Sequence, residues 1–332
     1  MKHVTILGLD ISSGTMITGP LDLFHLSGRL WNGIFGLDET PLFEVEIANS
    51  DLAPVKCTGS LSILPHKKLT EIHRTDLILI PSVLDIDQTL SRHPDAVPWL
   101  LAHYKNGAQI AAMCTGTFVL AETGLLDHKT ATTHWGVVDG FRRRYPRINL
   151  VPERLITDEG DLYCCGASNA CFDLSLYLIQ KLAGREAALQ IAKVFICDMD
   201  RTHQSEWAVF RFQKSHKDDL VLAAQVKMEK SYGSIDSIEE LARSIGMGKR
   251  TLERRFKAAT GDTPLSYLHR LRVEAAKRMM ETENLTFDQI TCRVGYESPG
   301  YFRRIFTRIC HISPGAYRRK WGPSPFDKGI VT

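Results

Sequence analysis

The chain has 332 residues, of which 44% are hydrophobic and 24% charged, with a formal net charge of +3. This length is typical of two folded domains, and the composition is not that of a disordered or collagen-like chain. No apolar run approaches the roughly 18 residues that a membrane-spanning helix requires, so we expect no membrane partner.

The cysteines and short motifs limit the chemistry further. None of the eight cysteines forms a CxxC pair, and a chain of this length needs no disulfide staples, so we expect a reduced, cytoplasmic setting. The spacing of Cys164, Cys165 and Cys171 does not suit paired metal ligands, and no phosphate-binding or dinucleotide-binding glycine motif occurs. We therefore predict neither a metal site nor a cofactor.

The first 195 residues alternate short apolar runs with helical patterns. The opening MKHVTILGLD lacks a small-residue cleavage site and predicts a strand, at 4–9, rather than a signal peptide. Further strands are predicted at 75–82 and 108–114, and helices at 19–30, 93–107 and 172–184. This alternation predicts an α/β domain over residues 1–195, a doubly wound, mostly parallel sheet with helices on both faces.

Cys114 stands where the run AAMCTGTFVL passes from a predicted strand into a predicted helix. A nucleophile is exposed at such a strand–turn–helix elbow, and a helix N-terminus lowers the pKa of a thiol. His134 follows twenty residues later, and a cysteine with a histidine is the minimum for an activated thiol. The alternative is that Cys114 is a small hydrophobic residue at the elbow.

These stretches resemble the class I glutamine amidotransferase-like superfamily, in its PfpI-like branch. The resemblance spans about residues 3–190 and rests on GPLDLF (19–24), DLILIPS (76–82), the Cys114 elbow, TTHW (132–135) and GASNACFDLSLYLIQ (166–180). It implies a flavodoxin-like fold. Enzymes of this kind often carry a Glu where this chain has Met16, and Gly-Gly where it has Ser82-Val83. The resemblance thus implies a sensor without catalytic residues rather than an enzyme.

One edge of the predicted sheet offers a small-molecule site, because open α/β sheets bind ligands beyond the carboxyl ends of their strands. We expect the candidate ligand-binding residues there: Ile11, Ser82, Cys114, His134, Trp135 and Ser168. The ring of Trp135 suits a cation–π contact with an ammonium ligand, although packing alone would equally explain it. The resemblance implies an amino acid or another small nitrogen compound as effector.

Charge is distributed unevenly along the chain. Residues 227–325 hold 19 Lys and Arg against 11 Asp and Glu, whereas residues 1–226 hold 21 against 26. A basic module at the end of an acidic body suggests that nucleic acid binds there. The polar, mixed segment 196–226 is expected to be a linker, and every later element is predicted to be helical.

A weak repeat of about 50 residues fills the C-terminal region. It pairs Ala242 with Cys292, Leu252 with Phe302, Phe256 with Phe306, Pro264 with Pro314, Tyr267 with Tyr317 and, at a spacing of 49, Gly246 with Gly295. A repeat of one supersecondary unit is the natural explanation.

Each copy has the parts of a helix-turn-helix. Capping boxes are predicted at 237–240 and 286–289, a glycine permits each turn, and residues 265–284 are predicted as one linking helix. The outward face of each second helix supplies the candidate DNA contacts: Lys249, Arg250, Glu253, Arg254, Lys257, Gly300, Arg303, Arg304, Thr307 and Arg308. Two such helices on one linker reach successive major-groove segments about one turn apart. The alternative for any single side chain is a solvated helix face.

Residues 235–319 closely resemble the AraC/XylS DNA-binding domain, through IEELARSIGMGKRTLERRF, ITCRVGYESPGYFRRIFTR and ISPGAYRR. The resemblance implies a domain over 227–322 that binds double-stranded promoter DNA, with RNA polymerase as a partner and activation as the favoured sign of regulation. Three departures stand out: Gly248 for a capping Ser or Thr, Cys292 for Ala, and Cys310-His311 for Phe-Gly. Because a His is strained in the left-handed conformation, we expect the end of the second unit to differ locally.

The leading hypothesis is a transcription regulator whose N-terminal domain senses a small molecule and forms a homodimer. Two alternatives stay open. One is a cysteine-dependent, amidotransferase-like hydrolase whose DNA-binding domain regulates its own gene. The other is a constitutive DNA-binding protein whose N-terminal domain is inert and serves only dimerisation.

Overall fold

The computed structural model describes residues 1–210 and 213–323. The chain divides into two compact units, Met1–Gln204 and Ser205–Thr332. All of the described strands lie in the first unit, and the described part of the second unit is helical. Among the described residues, no helix is both long and apolar enough to cross a membrane.

The first unit is built on a sheet of short strands. They are β1 (Lys2–Leu7), β2 (Phe43–Asn49), β3 (Val55–Lys56), β4 (Ser62–Ile63), β5 (Lys67–Lys68), β6 (Leu77–Ile80), β7 (Gln109–Met113), β8 (Thr130–Ala131), β9 (Asn149–Leu150), β10 (Ile156–Asp158) and β11 (Leu162–Cys165). Seven of them form one sheet in the order β10-β11-β7-β6-β1-β2-β5, and all neighbours are parallel except β10 and β11. The predicted doubly wound, flavodoxin-like sheet is confirmed.

Two apolar cores lie on the two faces of this sheet. Successive residues of a strand point to opposite faces, so Leu77 and Leu79 join one core while Ile78 and Ile80 join the other. All four side chains are buried, which explains why the central strands read as continuous apolar runs rather than as alternating patterns.

Eight helices are described in the first unit: α1 (Thr15–Leu26), α2 (Leu30–Ile34), α3 (Ile86–Arg92), α4 (Ala96–Lys105), α5 (Gly116–Glu122), α6 (Val138–Arg144), α7 (Ala170–Ala183) and α8 (Arg185–Phe195). The helices predicted at 93–107 and 172–184 correspond to α4 and α7. The helix predicted at 19–30 corresponds to α1, which begins four residues earlier, at Thr15, contains Pro20 in its interior and ends at Leu26.

Seven helices are described in the second unit: α9 (Asp219–Ser231), α10 (Ile238–Arg243), α11 (Lys249–Thr260), α12 (Pro264–Thr282), α13 (Phe287–Arg293), α14 (Pro299–Cys310) and α15 (Pro314–Trp321). The predicted linking helix is α12, and α10–α11 and α13–α14 are the two helix-turn-helix pairs. Phe256 packs on Tyr267 in the first half of this unit and Phe306 on Tyr317 in the second.

Residues 196–226, expected to be a linker, are largely packed within one unit or the other. The Leu155 N–H donates to the Thr202 carbonyl at 2.9 Å on the first unit. On the second, the Lys277 ammonium donates to the Ala208 carbonyl at 2.6 Å, and α9 already begins at Asp219. Polar composition suggested a solvated connection, but these side chains and carbonyls find partners within the two units.

Candidate nucleic-acid interface and small-molecule site

Four of the candidate ligand-binding residues follow neighbouring parallel strands. Ile11, Ser82, Cys114 and Ser168 come after β1, β6, β7 and β11, which lie side by side in the sheet. The carboxyl ends of these strands therefore bring them to one edge. The order of strands reverses between β1 and β6, the position where folds of this kind bind ligands.

The backbone is strained at two of these positions. Ile11 has φ of 63° and Cys114 has φ of 55°, so both occupy the left-handed region that β-branched and bulky residues avoid. The Ile11 N–H donates to the Lys56 carbonyl at 2.7 Å, and its carbonyl accepts from the Leu84 N–H at 3.1 Å. Strain that the surroundings hold in place is a common feature of functional sites.

The turn after β7 approaches the turn after β6 very closely. A Cβ at Gly116 would lie 2.5 Å from the Pro81 carbonyl oxygen, so this position needs glycine. Beside it, the Thr115 hydroxyl donates to the Val83 carbonyl at 2.6 Å, and accepts from the Val83 N–H at 2.9 Å. The Val83 N–H is thus already engaged and does not point to an oxyanion.

The expected lowering of the Cys114 pKa is wrong. Burial raises the pKa of this thiol to about 11, against hydrogen bonds from Thr115 and Ser168 that act in the opposite direction. The side chain is only 5% exposed, with Ser168 outside it. The elbow geometry is present, but α5 is short and the removal of water from the thiolate outweighs its N-terminus.

The loop that carries His134 is fastened to the elbow. Thr117 donates to the Thr132 carbonyl at 3.1 Å, and Thr133 donates to the Cys114 carbonyl at 2.8 Å. The Nδ1 of His134 accepts from the Gly136 N–H at 3.0 Å, and burial lowers the pKa of the imidazole. A neutral imidazole and a neutral thiol result, rather than the ion pair of an activated cysteine.

Three further observations concern Trp135, Met16 and possible metal ligands. Trp135 is half-buried with its ring centroid 5.0 Å from that of His134, so part of its face is already covered. Met16, which stands where related enzymes carry a Glu, is fully buried in the core. Within the described residues, no group of three His, Cys, Asp or Glu side chains could hold a metal ion.

The sequence missed one buried polar residue beside this edge. Gln204 is 1% exposed, and its Nε2 donates to the Thr133 carbonyl at 2.9 Å. It lies in the segment that was expected to be a linker, and no motif marks it. Only the folding of that segment onto the first unit reveals it.

The first helix-turn-helix is built as predicted in most respects. The Ser237 hydroxyl accepts from the Glu240 N–H at 3.1 Å, which is half of a capping box. Gly246 has φ of 74° at the turn, and Leu252 and Phe256 are fully buried on the inner face of α11.

The second helix-turn-helix repeats this construction. Thr286 and Gln289 form the complete capping box, and Ser298 caps α14 with Pro299 in its first turn. Gly295 has φ of 84°, and Phe302 and Phe306 are fully buried. The two helix-turn-helix pairs therefore present equivalent faces of α11 and α14.

The predicted pairing of repeat residues is wrong by one residue in the first helix of each helix-turn-helix pair, that is, in α10 and α13. Thr291, not Cys292, is buried as Ala242 is, whereas Cys292 is exposed. The spacing of 49 that joins Gly246 to Gly295 holds for these helices, and a spacing of 50 begins only after the turns. The residue that stands where Ala is usual in the AraC/XylS pattern is therefore Thr291 and not Cys292.

The end of α14 does not differ as expected. His311 adopts the left-handed conformation, with φ of 57°, as Gly261 does at the end of α11 with φ of 80°. The left-handed C-cap is therefore retained, although a His is strained in that conformation.

The candidate DNA contacts lie on the surface of the two second helices. All ten are exposed except Glu253, which is half-buried. Lys249 pairs with Glu239 at 2.5 Å, and the Arg303 guanidinium lies 5.4 Å from the Phe287 ring. Arg255 points elsewhere, because it forms two hydrogen bonds with the Asp218 carboxylate, at 2.8 and 2.7 Å.

Comparison with known proteins agrees with this architecture. Residues 39–181 match the DJ-1/PfpI family, and residues 241–320 match a family described as a helix-turn-helix domain. The chain is 29% identical over 280 residues to the HTH-type transcriptional regulator CdhR of Pseudomonas aeruginosa, an alignment that covers 83% of this chain and 82% of the relative.

Two further similarities are confined to part of the chain. The structure of Drosophila melanogaster DJ-1beta aligns with 59% of this chain and 98% of its own length, with a TM-score of 0.50 and 19% identity, and therefore shows the fold alone. An isonitrile hydratase of Pseudomonas putida is 27% identical over 174 residues, which are 52% of this chain and 68% of that enzyme.

Proposed function

The chain combines an N-terminal DJ-1/PfpI domain with an AraC-type helix-turn-helix domain, and we propose that it is a transcription regulator that binds promoter DNA in response to a small molecule. The single observation that carries this proposal is the duplicated, exposed, basic face of α11 and α14. Helices of this kind enter the major groove, and basic side chains there contact guanine edges and phosphates.

The first unit is proposed as the sensor. Support comes from the strand order, because four of the candidate residues follow strands that lie side by side around the switch point of the sheet, where small ligands bind in this class of fold. We propose an amino acid or another small nitrogen compound as the effector, bound near Ile11, Ser82, Cys114, His134, Trp135 and Ser168. A homodimer, contact with RNA polymerase, activation of transcription and a cytoplasmic location complete the proposal.

Hydrolysis by Cys114 is not favoured. A thiol with a pKa of about 11 is almost entirely protonated at neutral pH, and the Val83 N–H is engaged with Thr115. The similarity to an isonitrile hydratase gives the test its substrates. Turnover of an isonitrile or a small amide by the wild-type protein, lost in Cys114→Ala, would reverse this conclusion.

Selection of genomic DNA fragments by the purified full-length protein tests the regulator. The selection is run at about 150 mM salt, where non-specific binding to phosphates is weakened. We expect a few promoters that share a split motif, and the genes downstream indicate the chemical class of the effector. A control protein with Arg254→Ala and Arg304→Ala should enrich no motif. Equal enrichment by both proteins would contradict the proposal.

A further inference from the structure

Gln204 occupies an unusual place beside the candidate small-molecule site. Its carboxamide is buried, and Nε2 donates to the carbonyl oxygens of Thr133, at 2.9 Å, and Arg154, at 3.4 Å. These acceptors settle the orientation of the amide, because only the NH2 group donates. The Thr133 residue that receives this bond also holds the Cys114 carbonyl and precedes His134.

The other side of the same carboxamide lies against the loop that carries Ser168. A Cβ at Gly166 would fall 2.1 Å from Nε2 and 2.6 Å from Oε1 of Gln204, so the amide rests directly on the glycine backbone. The carboxamide therefore separates two loops, one that leads to His134 and one that leads to Ser168. Any change in the distance between these loops must displace Gln204.

The Oε1 of Gln204 is buried and has no hydrogen-bond partner among the described residues. Buried polar atoms are nearly always paired, and an unpaired acceptor favours the arrival of a donor. An ammonium or amide N–H group supplies such a donor, which agrees with a nitrogen-containing effector.

Gln204 is also the last residue of the first unit. The strap formed by residues 201–204 is fastened there by Arg201 on Asp173 at 2.9 Å and by the Gln204 N–H on the Glu153 carbonyl at 3.0 Å. Ser205 follows, and Glu206 then pairs with Lys320 at 2.9 Å in the second unit. Two peptide bonds therefore join Gln204, held within the first unit, to Glu206, which is paired within the second.

We propose that Gln204 is a positioning residue that couples the small-molecule site to the start of the DNA-binding unit. This coupling rests on the proposed function, since it presumes that an effector acts at the site. In this proposal, the loops that carry His134 and Ser168 change position, and the strap transmits that change to Ser205 and Glu206.

Amide hydrogen exchange of the full-length protein tests the coupling without DNA. Ser168→Val perturbs the site, and exchange is followed in the strap and in Ser205 and Glu206, in wild-type and Gln204→Met backgrounds. We expect Ser168→Val to speed exchange of all these residues about threefold or more in the wild-type background, and by less than about 1.5-fold in Gln204→Met. Gln190→Ala, whose amide bonds Glu186 in its own helix, is the matched control and should keep the full effect.

Two outcomes would overturn the coupling. One is an unchanged strap in Ser168→Val, and the other is an equal acceleration with and without the Gln204 carboxamide. If Gln204→Met does not fold, Gln204→Asn serves in its place, because it shortens the side chain by one methylene and withdraws the amide from its acceptors without burying a charge. Failure of this experiment alongside successful recovery of promoters would reject the coupling and leave the regulator standing.

Discussion

At the scale of single residues, Cys114 illustrates how surroundings decide chemistry. Its backbone has the left-handed conformation of a strand–turn–helix elbow, which a reactive nucleophile would share. The residue is nevertheless buried, and burial raises the pKa of its thiol to about 11. The same elbow that exposes a nucleophile in an enzyme here holds a neutral, protonated thiol.

The pH dependence of Cys114 alkylation by iodoacetamide follows from this pKa. Since only the thiolate reacts, we expect the rate to rise about tenfold per pH unit from pH 7 to about pH 10, where an ordinary thiol has levelled off near pH 9. Peptide mass mapping separates Cys114 from the exposed Cys292, which serves as an internal reference. A plateau below pH 8 would mean an activated thiol and would revive the hydrolase.

The sequence predicted the edge of the sheet at which the candidate site residues would lie, but not their burial or their protonation. Strand ends could be placed from the apolar runs, so Ile11, Ser82 and Cys114 were expected at one edge. Cys114 is buried in a core that also contains Cys165 and Cys171, more than fifty residues away, and local pattern carries no information on such packing. Gln204 could not be predicted at all, because its partners come from the tertiary fold of a polar segment.

At the scale of elements, the two helix-turn-helix turns are alike in conformation and different in surroundings. Gly246 and Gly295 both have positive φ, but no atom lies within 4 Å of a Cβ built at Gly246. At Gly295 such a Cβ would lie 2.4 Å from the Gly233 carbonyl oxygen and 2.9 Å from the Arg272 guanidinium. Arg272 in turn donates to the carbonyls of Tyr232 and Ile235, so this turn is packed against the segment that leads from α9 into α10, within the same unit.

Alanine at these two positions should therefore have unequal effects. Gly246→Ala introduces only backbone strain and should lower the free energy of unfolding by about 1 kcal/mol. Gly295→Ala adds a clash with backbone, worth roughly a further 1–3 kcal/mol. Chemical denaturation of the two variants measures the difference. Equal losses of unfolding free energy would mean that the turn between α13 and α14 is not packed as described.

The elements themselves were largely predictable, since caps and periodicity are local. Ser298-Pro299 and the Thr286 capping box begin their helices as expected. The one-residue error around Cys292 arose because the turns differ in length by one residue, which a single repeat spacing conceals. Burial of Thr291 against the core corrects it.

At the scale of the whole molecule, the two units differ in charge and in the residues that characterise them. The first holds Cys114 as a thiol whose pKa is raised by burial, and the second carries the surplus of positive charge. Acidic and basic halves in one chain direct nucleic acid to one end. The two units and the parallel sheet follow from composition and alternation, whereas the anchoring of Arg201 and Gln204 in the first unit, and of Ala208 and Asp218 in the second, required the structure.

Hydroxyl-radical footprinting of the purified protein on a recovered promoter fragment tests the central claim most directly. Two protected backbone segments about one helical turn apart, each beside a major groove that a recognition helix enters, should appear for each bound chain. Arg254→Ala should weaken one segment and Arg304→Ala the other, while Arg255→Ala, whose guanidinium is held by Asp218, should leave both protected. Loss of the same segment in both variants, or a footprint that none of the three changes, would contradict the reading of DNA by α11 and α14.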